Sequence, residues 1–320
     1  MKRAAIVLGL GLLVVSCSRP SAHLYTIGVL ELLDSGTTRE VRRGFLQALS
    51  EGGLRDGVNV RIDIRNGLGD ISEVHRLARS FVEEKVDLIV PSSTQSLQAA
   101  LIATQTIPIV FTSVANPYQA GAGVSSGEHL GNVTGVASTG PIRQALGFIR
   151  GILPGVRRLG TLWTPSELNS AYYLELAREA APEFGFEIVP VPVDNPSAVL
   201  LAAQILVNRK IEAIYQICDN TINASFEALS KVADENAIPL FSGSALAARS
   251  GAAAAIGWDF FEMGYKSGQV VLRIKNGERP GAIPFQGMSV VRIALNLKAA
   301  ARQGLVFPPD IIRTADEVLD

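Results

Sequence analysis

The chain has 320 residues, 48% of them hydrophobic and 18% charged, with 29 Lys and Arg set against 30 Asp and Glu. That balance excludes a disordered chain and leaves no basic face for nucleic acid, and the length suits two lobes of roughly 100–150 residues better than one core. Acidic or basic blocks of the kind that form interaction tails are also missing.

The chain opens with Met1-Lys2-Arg3, a positive n-region, followed by an apolar h-region over 4–15 and then Val14-Val15-Ser16-Cys17. This pattern reads as a signal peptide over 1–17, too short for a comfortable bilayer span. Its ending resembles a bacterial lipobox, in which Cys17 is lipidated and becomes the new N-terminus. Residues 18–23 then form a tether. The expectation is an exported protein, periplasmic or at the cell surface, touching the membrane through its lipid anchor alone. Cys218 is the one cysteine left in the mature fold, so no internal disulfide can form.

After the tether, 25–30 reads as a strand and 38–51 as a helix stopped by Gly52-Gly53. Residues 58–64 alternate as a half-buried edge strand does, and 70–84 form an amphipathic helix capped by Asp70. Strand 86–90, helix 94–104, strand 107–111 and strand 131–136 follow. The alternation starts afresh after Pro141, with helix 142–152, strand 158–163, helix 169–184, strand 187–191, helix 196–208 and strand 212–217. Helix 222–235 and strands 238–241 and 252–256 complete this round. Two successive rounds predict an α/β protein with two parallel sheets, each flanked by helices. Helix 260–276, strand 289–295 and helix 298–303 make a remainder too small for a domain, so the chain is expected to recross between the lobes.

Ligands bind at the carboxyl ends of parallel strands, and several of those ends are polar here. In the first lobe they carry Ser92, Ser93 and Thr94, then Thr112, Ser113 and Asn116. In the second they carry Asn169 and Ser170, then Asp219 and Asn220, then Ser242. Hydroxyls and free N–H groups at the start of helix 94–104 suit a carboxylate, and Asp219 suits a cation, so the two could hold opposite ends of a zwitterion. The same residue types also serve simply as helix caps. Trp163 and Trp258 each follow a strand and either stack on a ligand ring or pack between lobes. Asp34, Glu128 and Glu167 read as solvated surface acids, and Cys218 as buried filler whose thiolate Asp219 disfavours. The three histidines have no metal-ligand spacing, and neither a G-x-S-x-G elbow nor a phosphate loop occurs. No catalytic residue, metal or cofactor is therefore expected.

Several stretches together resemble one family, the substrate-binding lipoproteins of a class of bacterial ABC transporters, some of which handle tryptophan and other aromatic amino acids. They are Asn66-Gly67, Val86-Asp87-Leu88-Ile89, Ile107-Pro108-Ile109-Val110-Phe111-Thr112, Gly131-Asn132-Val133-Thr134-Gly135-Val136, Asn169-Ser170, Asp219-Asn220-Thr221, Gly264 with Gly268, and Lys275-Asn276-Gly277-Glu278. The resemblance runs from about Tyr25 to Val318. It implies a two-lobed periplasmic-binding-protein fold of type I with three hinge crossings, the first lobe holding 24–138 and about 259–286, the second 139–258 and about 287–320. It also implies a monomer that closes on a small zwitterionic ligand, an amino acid foremost, and delivers it to an ABC permease and ATPase. Three places depart from the family pattern. Val114-Ala115-Asn116-Pro117 stands where Val-Thr-Asp-Pro is frequent, the loop Leu32-Leu33-Asp34-Ser35-Gly36 lacks a common His, and Phe260-Phe261 replaces a usual Tyr. A lipoprotein sensing the ligand for a membrane kinase is the alternative. A repressor would need an N-terminal helix-turn-helix, and a hydrolase a catalytic constellation.

Overall fold

The computed structural model describes residues 24–320; the signal peptide, Cys17 and the tether lie outside the described residues. Strands β1 (Tyr25–Glu31), β2 (Val60–Asn66), β3 (Leu88–Pro91), β4 (Ile109–Val114) and β5 (Val133–Ala137) form a parallel sheet in the order β2-β1-β3-β4-β5. β2 is its edge, as the alternation at 58–64 predicts. Helices α1 (Gly36–Glu51), α2 (Ile71–Glu83) and α3 (Thr94–Ala103) connect these strands. Each start is capped by a short polar side chain: Ser35 Oγ accepts from Thr38 N, Asp70 Oδ1 from Ser72 N and Ser93 Oγ from Ser96 N.

The second sheet contains β6 (Arg158–Trp163), β7 (Glu187–Pro192), β8 (Ala213–Gln216), β9 (Leu240–Ser242), β10 (Ala254–Trp258), β11 (Val291–Asn296) and β12 (Glu317–Leu319). Its order is β12-β11-β10-β9-β8-β6-β7. Around it lie α4 (Ile142–Ile152), α5 (Leu168–Ala180), α6 (Val199–Asn208), α7 (Asn220–Asn223), α8 (Phe226–Glu235), α10 (Leu297–Arg302) and α11 (Pro309–Thr314). The parallel plan holds through β10, but β11 runs antiparallel to β10 and β12 parallel to β11. The chain re-enters this lobe from the far side, so its last strands meet the sheet head to tail. The helix predicted over 222–235 is two helices, because Ser225 leaves the helical region at φ −131°. β12 and α11 go unpredicted, being three and six residues long.

Three crossings join the lobes: after β5, at Asp259, and after Gln286, which bridges Val136 on β5. Two of them are tied together, since Trp258 Nε1 donates to Thr139 O at 2.8 Å. Tyr173 Oη donates to Ser138 O at 2.6 Å and pins the first crossing to α5. At the second crossing α9 (Phe260–Lys275) returns to pack on α1 in the first lobe. The two backbones approach so closely that a Cβ on Gly264 would stand 1.8 Å from Val41 O, and one on Gly44 would stand 1.9 Å from Phe261 O.

That contact admits no side chain. Gly264→Ala is expected to force α1 and α9 apart and to lower stability by about 3 kcal/mol, read as a lower denaturant midpoint. An unchanged midpoint would show that the helices separate freely.

Candidate functional site

The carboxyl ends of both sheets face one another across the hinge and enclose a cavity of about 60 Å³, room for a handful of waters in this arrangement. Its first-lobe wall includes Thr37, Ser113 and Phe260; its second-lobe wall includes Asn169, Tyr173, Cys218, Asp219, Asn220, Gly243 and Trp258. Ser113 sits in the left-handed region at φ 57°, where β4 and β5 lose register. A β-carbon is disfavoured there, so the turn holds local strain at the cleft. Its Oγ donates to Met263 Sδ of α9 at 3.4 Å.

Asp219 is 1% exposed. Its Oδ1 accepts from Thr164 Oγ1 at 3.1 Å and Ile222 N at 2.9 Å, and its Oδ2 from Thr164 N at 2.9 Å. Burial, and then the charge of Glu167, push its carboxyl up to about 7 against the pull of those donors. Glu167, expected as a solvated surface acid, is instead buried at 4% exposure. The turn Thr164-Pro165-Ser166 folds it back onto the start of α7. There Oε1 accepts from Thr221 N and Oγ1, and Oε2 from Asn220 N and Nδ2 and from Asn169 Nδ2. Among the described residues no Lys, Arg or His forms a salt bridge with either acid. Asp34 and Glu128 are exposed, and Asp34 pairs with Arg39 and Arg42.

The two amides that Glu167 orients reach across to the other lobe. Gln95 of α3 donates through Nε2 to Asn169 Oδ1 at 2.9 Å and accepts at Oε1 from Asn220 Nδ2 at 3.4 Å. Gln95 is 4% exposed, so this bridge is shielded from water. In the first lobe Thr94 Oγ1 and Thr112 Oγ1 are buried without a hydrogen-bond partner. Such a hydroxyl costs on the order of 1–3 kcal/mol unless something else satisfies it.

Four of the eleven residues singled out from sequence line the cavity: Ser113, Asn169, Asp219 and Asn220. The others lie around it. Ser93 caps α3, Asn116 Oδ1 caps the turn at Tyr118 and Gln119, Ser170 Oγ accepts from Thr164 N, and Ser242 Oγ accepts from Ser244 N. Ser92 bridges Thr112 between the ends of β3 and β4. Cys218, expected as filler, lines the cavity and donates to Gly243 O at 3.2 Å; burial and then Asp219 raise its thiol to about 12. Trp258 lines the cavity as well as tying the crossings, whereas Trp163 does not reach it. A wider groove of about 400 Å³ lies beside the hinge, but its charges are spent on one another, Arg292 on Asp259 and Asp316, Arg249 on Glu317. The cleft holds the uncompensated charge.

Comparison with known proteins bears on this geometry. The profile of the ABC transporter substrate binding protein family matches residues 26–319. A tyrosine-binding protein of Clostridioides difficile is 34% identical, over 87% of this chain and 81% of its own. The structure of an ABC domain in complex with L-Trp from Streptococcus pneumonia superposes with a TM-score of 0.88 at 25% identity, over 93% of this chain and 100% of that one. A ligand-free, open substrate-binding protein with adhesive properties from Clostridium difficile gives 0.69 at 30% identity, over 92% and 99%.

The acid pair makes stability depend on pH. Unfolded, Asp219 ionises near 3.8; folded, near 7, so the folded chain holds its proton more tightly. The stabilisation from this group is full below the lower value and is lost as pH rises through the upper one. Relative to Asp219→Asn, the wild-type protein is expected to lose stability between about pH 4 and about pH 7, by up to about 1.4 kcal/mol per unit, and to level off above. Denaturant titrations at matched pH measure it, and parallel curves for the two proteins would refute it.

Proposed function

The chain belongs to the ABC transporter substrate-binding protein family, and from that premise we propose that its ligand is an L-amino acid with an aromatic side chain, held by its ammonium group at Asp219. Members of the family bind a small solute outside the cytoplasm and work with an ABC permease, which favours delivery over the sensing alternative. The observation that carries the proposal is the pair of buried acids without a cationic partner at the lobe junction. Burying carboxylates is costly unless a cation accompanies them, and a ligand ammonium beside Asp219 supplies one. Closure would then deprotonate Asp219 and convert a stability cost into affinity.

At the other end, the partnerless hydroxyls Thr94 Oγ1 and Thr112 Oγ1, with Ser113, are assigned to the ligand carboxylate. The first turn of α3 adds the positive end of a ten-residue helix. Tyr173, Trp258 and Phe260 offer apolar faces for a ring between the two ends. The relatives named for tyrosine binding and crystallised with L-Trp support this class of ligand. A space of about 60 Å³ is too small for such a molecule, so its entry must part the lobes and loosen the bridge at Gln95. Capture requires only that the ligand bind the closed lobes more tightly than the parted ones. No bond is made or broken. An ATPase completes the importer, and a lipid on Cys17 anchors this component, both as parts of the proposal.

Isothermal titration with L-tyrosine, L-tryptophan and 3-phenylpropionate, which lacks the ammonium, tests the reading. The amino acids are expected to bind and the deaminated acid to fail. Asp219→Ala should weaken the amino acids at least thirtyfold, since removing one partner of a desolvated charge pair costs about 2–5 kcal/mol; a loss below tenfold places Asp219 outside the site. Cys17→Ala should move the protein from the membrane to the soluble extracytoplasmic fraction, and unaltered retention removes the anchor.

A further inference from the structure

Tyr173 and Cys218 line the second-lobe side of the cavity, and behind Gly243, another lining residue, lies a third polar tip, Tyr215 Oη. Two have spent their protons: Tyr173 Oη donates to Ser138 O, and Cys218 Sγ donates to Gly243 O. Tyr215 has not. It is 2% exposed, and its hydroxyl forms no hydrogen bond among the described residues. Burial, and then the nearby Cys218, hold the phenol well above its ordinary range, so it remains a proton donor.

Beside this hydroxyl lies the bare face of Gly243, which lines the cavity. A methyl group built on Gly243 would stand 3.4 Å from Tyr215 Oη and 3.6 Å from Cys218 Sγ, ordinary contact distances with no overlap. The missing side chain therefore leaves a methyl-sized space leading from the cavity to the unspent hydroxyl.

We propose that Tyr215 Oη reads a hydroxyl at the far end of the ligand's ring through the gap at Gly243, so that the site prefers a phenolic amino acid to its unhydroxylated counterpart. This rests on the ligand class proposed above. A buried hydroxyl that finds its partner only on the ligand favours the analogue that supplies one, because the other leaves it unsatisfied.

The test compares L-tyrosine with L-phenylalanine on wild type, Tyr215→Phe and Gly243→Ala by titration calorimetry. Wild type is expected to bind tyrosine about tenfold more tightly. Tyr215→Phe should bring the two within about twofold by weakening tyrosine alone, with no fall in the melting temperature of the free protein, since it removes an unsatisfied group. Gly243→Ala, which meets no overlap, should weaken tyrosine more than phenylalanine. A wild-type ratio preserved in Tyr215→Phe, or no preference in wild type, overturns this assignment and leaves the ligand class standing. If Tyr215→Phe does not fold, a preserved ratio in Gly243→Ala overturns it equally. Failure of wild type to bind either amino acid or L-tryptophan overturns both.

Discussion

Two carboxylates share the buried junction between the lobes with no cation beside them, and the rest of the cleft is arranged around that fact. Glu167 is wrapped by five donors from α5 and α7 and does not line the cavity. Its charge is spent on orienting Asn169 and Asn220, which in turn grip Gln95 of the opposite lobe. Asp219 faces the cavity and carries the raised proton affinity. One acid thus sets the geometry of closure while the other supplies the electrostatic demand. Hydrophobic replacements would fill the same volume at lower cost, so packing alone does not account for the pair.

The parts that must not move are built by close backbone contact, and the parts that must move are built by polar side chains. α1 and α9 meet glycine against carbonyl, which leaves the first lobe no sliding freedom along that seam. Hydrogen bonds from Trp258 and Tyr173 tie the first two crossings, and the amides around Gln95 join the lobe faces. Amide pairs exchange readily with water when the cleft opens, whereas a packed helix seam does not.

Much of the fold was legible because an apolar run that stops at a polar cluster marks the carboxyl end of a parallel strand. That signal located Asp219, Asn169 and Ser113, and the cap at Asp70 followed from the same local chemistry. What failed was whatever depends on a distant partner. Glu167 looks like any surface acid until the turn at Pro165 brings it to residues 53 and 54 positions away. Gln95 gains its role only when the lobes meet. The direction of β11 is not written in its alternation, because side chains alternate alike in parallel and antiparallel strands. The polar residues Ser92, Ser93, Asn116 and Ser242 were conspicuous but local, and they are used on caps, a backbone bridge and turns.

The return of α9 to α1 has a consequence for how the molecule is made. The first lobe borrows one of its main helices from beyond residue 259, after nearly the whole second lobe has been synthesised, and the second lobe borrows β11 and β12 from beyond that. Neither half can be completed from an uninterrupted stretch of chain, so vectorial emergence gives no finished first lobe waiting for a second. The first lobe has its full set of elements only once the chain beyond residue 259 exists, and the second only at β12.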